Sequence, residues 1–159
     1  MKKNSRCVLA ALFVLLFSNL SVAEDADPCA SLPGTLTVAA DGFYEIGTDD
    51  ALYKFACMVN NGTTDINGRL TADICVNACG EGESVLKADG TLNGDGFNFT
   101  QWTPIGTKTQ KFEGTFDGAG HTISGLYVDG AEYAGLFGYV FVDNINGEDE
   151  KGVVKNVGI

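Results

Sequence analysis

Basic side chains are scarce in this chain, which has 10 lysines and arginines against 21 acidic residues and a formal net charge of -11. Three of the basic residues, Lys2, Lys3 and Arg6, lie in the first six positions. If this leader is removed, 7 basic residues face 21 acidic ones and the charge becomes -14. Such a surface would repel a phosphate backbone, and few cations remain to release its counterions. The composition therefore argues against binding to nucleic acids or to anionic membranes.

Residues that carry common catalytic chemistry are also scarce. The chain has one histidine and no Gly-Lys-Ser/Thr sequence, so it offers neither a histidine pair nor a phosphate-binding loop. The stretch Asp65-Ile66-Asn67-Gly68 begins like a calcium loop, but Arg69 occupies the fifth position and no bidentate glutamate closes it. We predict no cofactor and no metal site, with calcium on the Asp-rich surface as an open alternative.

Long apolar runs are absent beyond the leader. Val8 to Leu20 is almost wholly apolar and too short to span a bilayer of ~30 Å comfortably, and Ser21-Val22-Ala23 supplies small residues for cleavage. Residues 1–23 are therefore predicted to be a cleaved signal peptide, with an uncleaved N-terminal anchor as the alternative. We expect a secreted protein, extracellular or at the cell surface, with no membrane attachment after cleavage.

Export changes the interpretation of the cysteines. Cys7 leaves with the leader, so four remain in an oxidising compartment, where disulfides form. Four cysteines allow three pairings; we favour a small loop closed by Cys75 and Cys79, with Cys29 joined to Cys57. A zinc site is the alternative, although four-thiolate sites usually show two closely spaced pairs and only one is present.

Glycine is abundant: it accounts for 21 of the 159 residues, about one in eight, against a usual ~7%. The length suits one domain. Residues 24–42 are predicted to be an extended lead-in. Residues 43–100 form a cap region with a helix over 49–60, where Thr48 can cap the first turn. The helix has an apolar face spaced i, i+3, i+4, i+7, formed by Leu52, Phe55, Ala56 and Val59.

Short strands with glycine punctuation follow, including Leu70–Cys75. This spacing fits a sandwich, a barrel or a solenoid. The recurrence of Gly125-Leu126-Tyr127 as Gly135-Leu136-Phe137, and the lack of clean two-residue hairpin turns, favour a solenoid.

The block from Phe112 to Gly138, which contains Phe112-Glu113-Gly114-Thr115-Phe116-Asp117-Gly118 and Ala134-Gly135-Leu136-Phe137-Gly138, resembles secreted bacterial GLUG-repeat proteins. The resemblance covers roughly residues 43–159. It implies a mainly β fold, the start of a right-handed parallel β-helix with one N-terminal capping α-helix and its first rungs in 101–159. Because stacked repeats need about three members, it also implies a fragment of a longer repeat protein or a module completed by a partner.

Two residue sets are candidate functional sites. The first set is Asp117, Gly118, Gly120 and His121, in which Asp117 and His121 could form an acid–base or metal pair, but we favour a structural turn. In that interpretation both glycines take positive φ, Asp117 bonds the turn backbone and His121 satisfies a carbonyl. The second set is a sugar-stacking strip of Trp102, Tyr127 and Tyr133, together with Phe137 and Tyr139, against the alternative that these rings are core.

These features favour an exported, non-enzymatic, adhesin-like interaction module whose partner is a cell-surface protein, a carbohydrate or a downstream domain of the same protein. The alternative is a polysaccharide-active lyase or glycosidase of β-helix type, or its accessory carbohydrate-binding region. That chemistry needs paired carboxylates or a calcium site along a groove. A non-functional gene fragment is a third interpretation.

Overall fold

A computed structural model describes residues 27–94, 99–130, 132–142 and 151–159. Its elements are short, apart from one helix of three turns. In chain order they are β1 (Thr37–Val38), β2 (Phe43–Ile46), α1 (Asp49–Asn60), β3 (Asn67–Leu70), β4 (Ile74–Cys75), β5 (Thr115–Asp117), β6 (Ile123–Ser124) and β7 (Val153–Lys155). The predicted leader, residues 1–23, lies outside these ranges, as does the acidic segment 148–150.

The strands form a five-stranded mixed sheet, ordered β1-β2-β3-β5-β7, and a separate pair, β4-β6. β1 runs antiparallel to β2, whereas β2, β3, β5 and β7 are mutually parallel. The β1–β2 turn is closed by Gly42, which has a φ of +84°, and by Asp41, whose carboxylate accepts a hydrogen bond from the amide of Phe43. Asp-Gly at such a turn is a familiar hairpin signal.

Helix α1 spans the predicted range, Asp49–Asn60. The Thr48 hydroxyl accepts a hydrogen bond from the amide of Ala51 at 3.2 Å, and Asp49 and Asp50 place negative charge in the first turn. The predicted apolar face is buried, and the chain leaves the helix through Gly62, whose φ is +110°.

The core lies between this helix and the sheet. The ring of Phe55 packs edge-on against Tyr44, Phe112 and Phe116, with ring centroids 5.9 to 6.4 Å apart. Gly68 faces the same ring, and a Cβ there would lie 2.9 Å from Phe55 Cε2. Glycine at this position therefore lets the helix approach β3 closely.

The predicted fold class, the start of a right-handed parallel β-helix with a capping helix, is wrong. No solenoid is detected in the ranges described, which form a small mixed α/β fold. Parallel strands need a crossover connection, and α1 supplies the one between β2 and β3. Its apolar face therefore packs back on the sheet instead of closing one end of a stack.

Two further predictions about the strands need correction. The strand expected over Leu70–Cys75 is two strands, β3 and β4, separated by a bend at residues 71–73. The recurring Gly-Leu-aromatic steps do not form full strands: Tyr127 and Phe137 each make one parallel bridge, to Gln101 and Ile105.

The cysteines pair as favoured from the sequence. The Cα atoms of Cys29 and Cys57 are 5.8 Å apart and those of Cys75 and Cys79 5.7 Å, with the sulfurs at bonding distance in both pairs. Four sulfurs in two pairs fit two bridges better than ligation of one zinc ion. In the part of the chain that the structure describes, no helix has the length and apolar character needed to cross a bilayer.

Candidate functional site

The corner at residues 117–121 is a hydrogen-bonded turn. The Asp117 carboxylate accepts hydrogen bonds from the amide of Ala119 at 2.9 Å and from the side chain of Asn156 at 3.1 Å, and Lys155 Nζ lies 3.5 Å from it. These groups, led by the Ala119 amide, lower the pKa of Asp117. The carboxylate is therefore held ionised and occupied by the turn.

The glycines of this corner act differently from each other. Positive φ is found at Ala119 (+51°) and Gly120 (+86°), not at Gly118 as predicted. Gly118 is required by close approach instead, because a Cβ there would lie 2.6 Å from the Cβ of Val157 and would strike the backbone beside it. The structural interpretation fits this geometry, with a changed role for Gly118.

His121 faces a carboxylate and not the predicted carbonyl. Its Nδ1 lies 3.3 Å from Asp73 Oδ1, which also accepts a hydrogen bond from the amide of Thr122 at 2.8 Å. That amide is the main cause of the lowered pKa of Asp73, with His121 adding to it. The contact joins the corner to the bend between β3 and β4.

The five predicted sugar-stacking aromatics do not form one strip, and Phe137 packs against the core rings of Phe112 and Phe116. Trp102 is 1% exposed, its Nε1 donates to the carbonyl of Gly135 at 3.1 Å, and its ring packs on Tyr53. A buried ring offers no face to a sugar, so that prediction is wrong for Trp102. Tyr127 is half-buried beside Phe99, whereas Tyr133 is 49% exposed.

Tyr127 and Tyr133 line different cavities. Tyr127 lies in a groove of about 640 Å³ with residues 83–86 and 123–128, an apolar surface that also includes the exposed Leu92 and Ile159. Tyr133 lies in a smaller cleft of about 300 Å³, which we call the tyrosine cleft. The tyrosine cleft is lined by Thr103, Pro104, Gly106, Thr107, Lys108, Glu132, Tyr133, Gly138 and Tyr139.

The tyrosine cleft brings two aromatic rings together. Tyr133 and Tyr139 meet edge to face with centroids 4.8 Å apart and an interplanar angle of 65°. Partial burial, followed by a hydrogen bond with Tyr133, raises the pKa of Tyr139. The Tyr139 phenol is therefore neutral at physiological pH, and both rings carry a polar hydroxyl beside an apolar face.

The floor of the tyrosine cleft is held by helix α1. The side chain of Asn60, the last helical residue, donates to the carbonyl of Pro104 at 3.1 Å and accepts from the amide of Gly106 at 2.8 Å. Gly138 seals the other side, since its amide donates to the carbonyl of Ile105 at 2.9 Å. A Cβ on Gly138 would lie 2.7 Å from the Gly106 oxygen, so glycine allows this approach.

Sequence reasoning named Tyr133 and Tyr139 as candidate stacking rings but missed Lys108, Glu132 and Asn60. Nothing local marks these residues, because the cleft forms only where the 103–108 and 132–139 segments meet. Gly138 was a usable signal, since glycine in a strand-like segment can mark close approach by another backbone.

No protein-family model matches the chain, and no curated protein or solved structure matches it either.

Proposed function

We propose that this protein is an exported, non-enzymatic, adhesin-like interaction module, related to the secreted surface proteins that carry GLUG-like repeats. The observation that carries the proposal is the exposed apolar surface of β7, which among the described strands pairs with β5 alone. Val154 pairs in register with Phe116, which is fully buried, yet Val154 itself is 39% exposed. Val142 and Ile159 are exposed by 68% and 76%.

An uncovered strand with apolar side chains supports docking of a partner. Among the strands that the structure describes, the five-stranded sheet has two edges: β7, which pairs only with β5, and the two-residue β1, which pairs only with β2. A strand edge presents unpaired backbone groups that can bind an extended segment, and alternate side chains supply specificity. The two disulfides support a location outside the cytoplasm, where such bridges persist.

The acidic groups with a shifted pKa have structural partners, which fits a binding module. Four described aspartates have a shifted pKa, and each is lowered by a partner that holds a turn or a strand end. The first-ranked partners are the side chain of Arg69 for Asp41, the Thr122 amide for Asp73, the side chain of Thr91 for Asp89 and the Ala119 amide for Asp117. A glycosidase acid requires the opposite shift, to a raised pKa.

Val154→Lys tests the proposal at the edge that carries it. We expect the labelled wild-type protein to bind saturably to intact cells in a panel of Gram-positive, Gram-negative and epithelial types. The variant should bind about tenfold more weakly, because a charged side chain replaces an apolar interface anchor. Flow cytometry over a concentration series measures both affinities.

Val38→Lys is the matched control, since Val38 is an exposed valine on β1, at the opposite edge of the same sheet. It should bind like the wild type. Thermal unfolding of both variants separates lost binding from lost folding. An interaction function is excluded if the wild type binds none of the cells, and equal binding by Val154→Lys would exclude the β7 edge.

A further inference from the structure

The tyrosine cleft combines apolar and polar groups in a pattern that suits one class of ligand. Two half-open aromatic rings line it, and the rest of the lining adds hydroxyls from Thr103 and Thr107, one ammonium group and one carboxylate. Sugars have the complementary structure, with C–H faces that pack on aromatic rings and hydroxyls that bond polar groups around them.

The charges of the cleft favour a neutral ligand. Lys108 and Glu132 carry opposite charges, and neither takes part in the ion pairs of the described chain. An anionic ligand would meet Glu132 and a protein of net charge -11, whereas a cationic ligand would meet Lys108. A neutral, polyhydroxylated ligand uses both groups as hydrogen-bond partners without repulsion by either.

The cleft is also preorganised. The Asn60 side chain bonds the backbone of Pro104 and Gly106. The Gly138 amide bonds the facing segment at the carbonyl of Ile105. The Thr107 hydroxyl accepts a hydrogen bond from the amide of Gln110 at 3.0 Å. Little backbone ordering is then required when a ligand binds, which lowers the entropic cost of association. Its volume of about 300 Å³ lies at the small end of ligand sites, which suits one or two sugar rings.

We infer that the tyrosine cleft binds a neutral saccharide, with a sugar ring against Tyr133 and its hydroxyls on Lys108, Glu132 and the threonines. This inference rests on the proposed interaction function and assigns its ligand class. It places the sugar site in the tyrosine cleft and leaves the β7 edge as the proposed docking surface for a protein partner.

Isothermal titration calorimetry with the full exported chain tests the inference. The probes are four neutral tetrasaccharides, built of β-glucose, α-glucose, mannose and xylose, together with the anionic oligogalacturonate. We expect measurable binding of at least one neutral probe. Tyr133→Ala should weaken that binding roughly tenfold and Tyr133→Phe should largely retain it, since phenylalanine keeps the stacking ring.

Tyr127→Ala is the matched control, because it removes a half-buried tyrosine from the other cavity. It should bind like the wild type. The chain has a single tryptophan, the buried Trp102, so an unchanged emission maximum shows that each variant is folded.

The outcomes separate the inference from the proposed function. Saccharide binding that survives Tyr133→Ala excludes the tyrosine cleft, and tighter binding of oligogalacturonate excludes a neutral ligand. If no probe binds while the wild-type protein still binds cells, the saccharide inference fails and the interaction function stands. If neither saccharides nor cells are bound, both fail.

Discussion

Single residues decide how closely backbone segments approach in this molecule. Gly118 is buried against the backbone of residues 156 and 157, and the neighbouring Asp117 carboxylate bonds Asn156 from the same side. The amides of Gly118 and Gly120 donate to the carbonyls of Lys155 and Asn156, both at 2.9 Å. The corner and the segment after β7 therefore form one hydrogen-bonded unit. A methyl group at position 118 has no room in it.

Gly118→Ala is expected to lower the free energy of unfolding by about 1–3 kcal/mol, the usual cost of overpacking a closed site. Gly94→Ala is its control, because among the described residues a Cβ at Gly94 meets only Leu92, at 3.9 Å, and Gly94 has no positive φ. Urea unfolding of both variants provides the comparison. Equal stabilities would show that the corner opens easily and that its hydrogen bonds do not hold the last strand.

Which aromatic rings are exposed could not be predicted from the sequence. Trp102 and Tyr133 both lie near glycine in short extended segments, yet one is buried and the other is half exposed. Burial here depends on which segments meet in space, because Trp102 packs on Tyr53 of the helix and bonds residue 135. The Asp117 turn was predictable, because an aspartate two residues before a donor amide is a local feature.

At the scale of elements, helix α1 does two things. Its apolar face supplies five of the fifteen buried core residues that the structure describes, including Phe55, and its last residue, Asn60, bonds the segment that floors the tyrosine cleft. The helix therefore couples the core to the candidate binding site. A change at its C-terminal end should reach the cleft without disturbing the apolar face.

Asn60→Ala tests this coupling. The substitution leaves the Pro104 carbonyl and the Gly106 amide without their partner, which we expect to cost about 1–3 kcal/mol of unfolding free energy. It should also weaken saccharide binding at the tyrosine cleft, measured by the same calorimetry. Asn61→Ala is the control, since Asn61 bonds Cys57 within the helix and makes no bond to the cleft. Equal effects of the two variants would argue against coupling.

The helix could be predicted because its signals are local: a capping threonine, early acidic residues and an apolar face of helical period. The strands were harder. The run Leu70–Cys75 alternates like one strand, but it turns at residues 71–73, where the Thr71 amide donates to the carbonyl of Ile46 and Asp73 accepts from Thr122. Those partners are distant in sequence, so alternation alone could not show the break.

At the scale of the whole molecule, the predicted fold class was wrong because the sequence pattern did not show which strands pair. Glycine spacing and the GLUG-like block indicate short strands, but they do not indicate which strands pair. The fold class depends on how β1 and α1 join the sheet. The antiparallel β1–β2 pair and the β2–α1–β3 crossover make the sheet mixed and place a helix on it. Within the described residues, the sheet thus has one face under the helix and two edges, at β1 and at β7.

The two disulfides reinforce different parts of this arrangement. Cys29–Cys57 ties the N-terminal lead-in to the helix across a separation of 28 residues, whereas Cys75–Cys79 closes a separation of 4 beside β4. A bridge stabilises a fold mainly by restricting the unfolded chain, and the effect grows with the length of the closed loop. The long-range bridge should therefore be the stronger one.

Replacing both Cys29 and Cys57 by alanine is expected to lower the free energy of unfolding by roughly 3.5 kcal/mol, against roughly 2 kcal/mol for Cys75 and Cys79. Urea unfolding followed by Trp102 fluorescence measures both, with the wild type under non-reducing conditions as reference. A larger loss for the short loop would mean that the native contacts around β4 outweigh chain entropy. If the Cys29–Cys57 loss is the larger, that bridge anchors the lead-in to the fold. Reduction of the bridge should then release the lead-in before the sheet and the tyrosine cleft unfold.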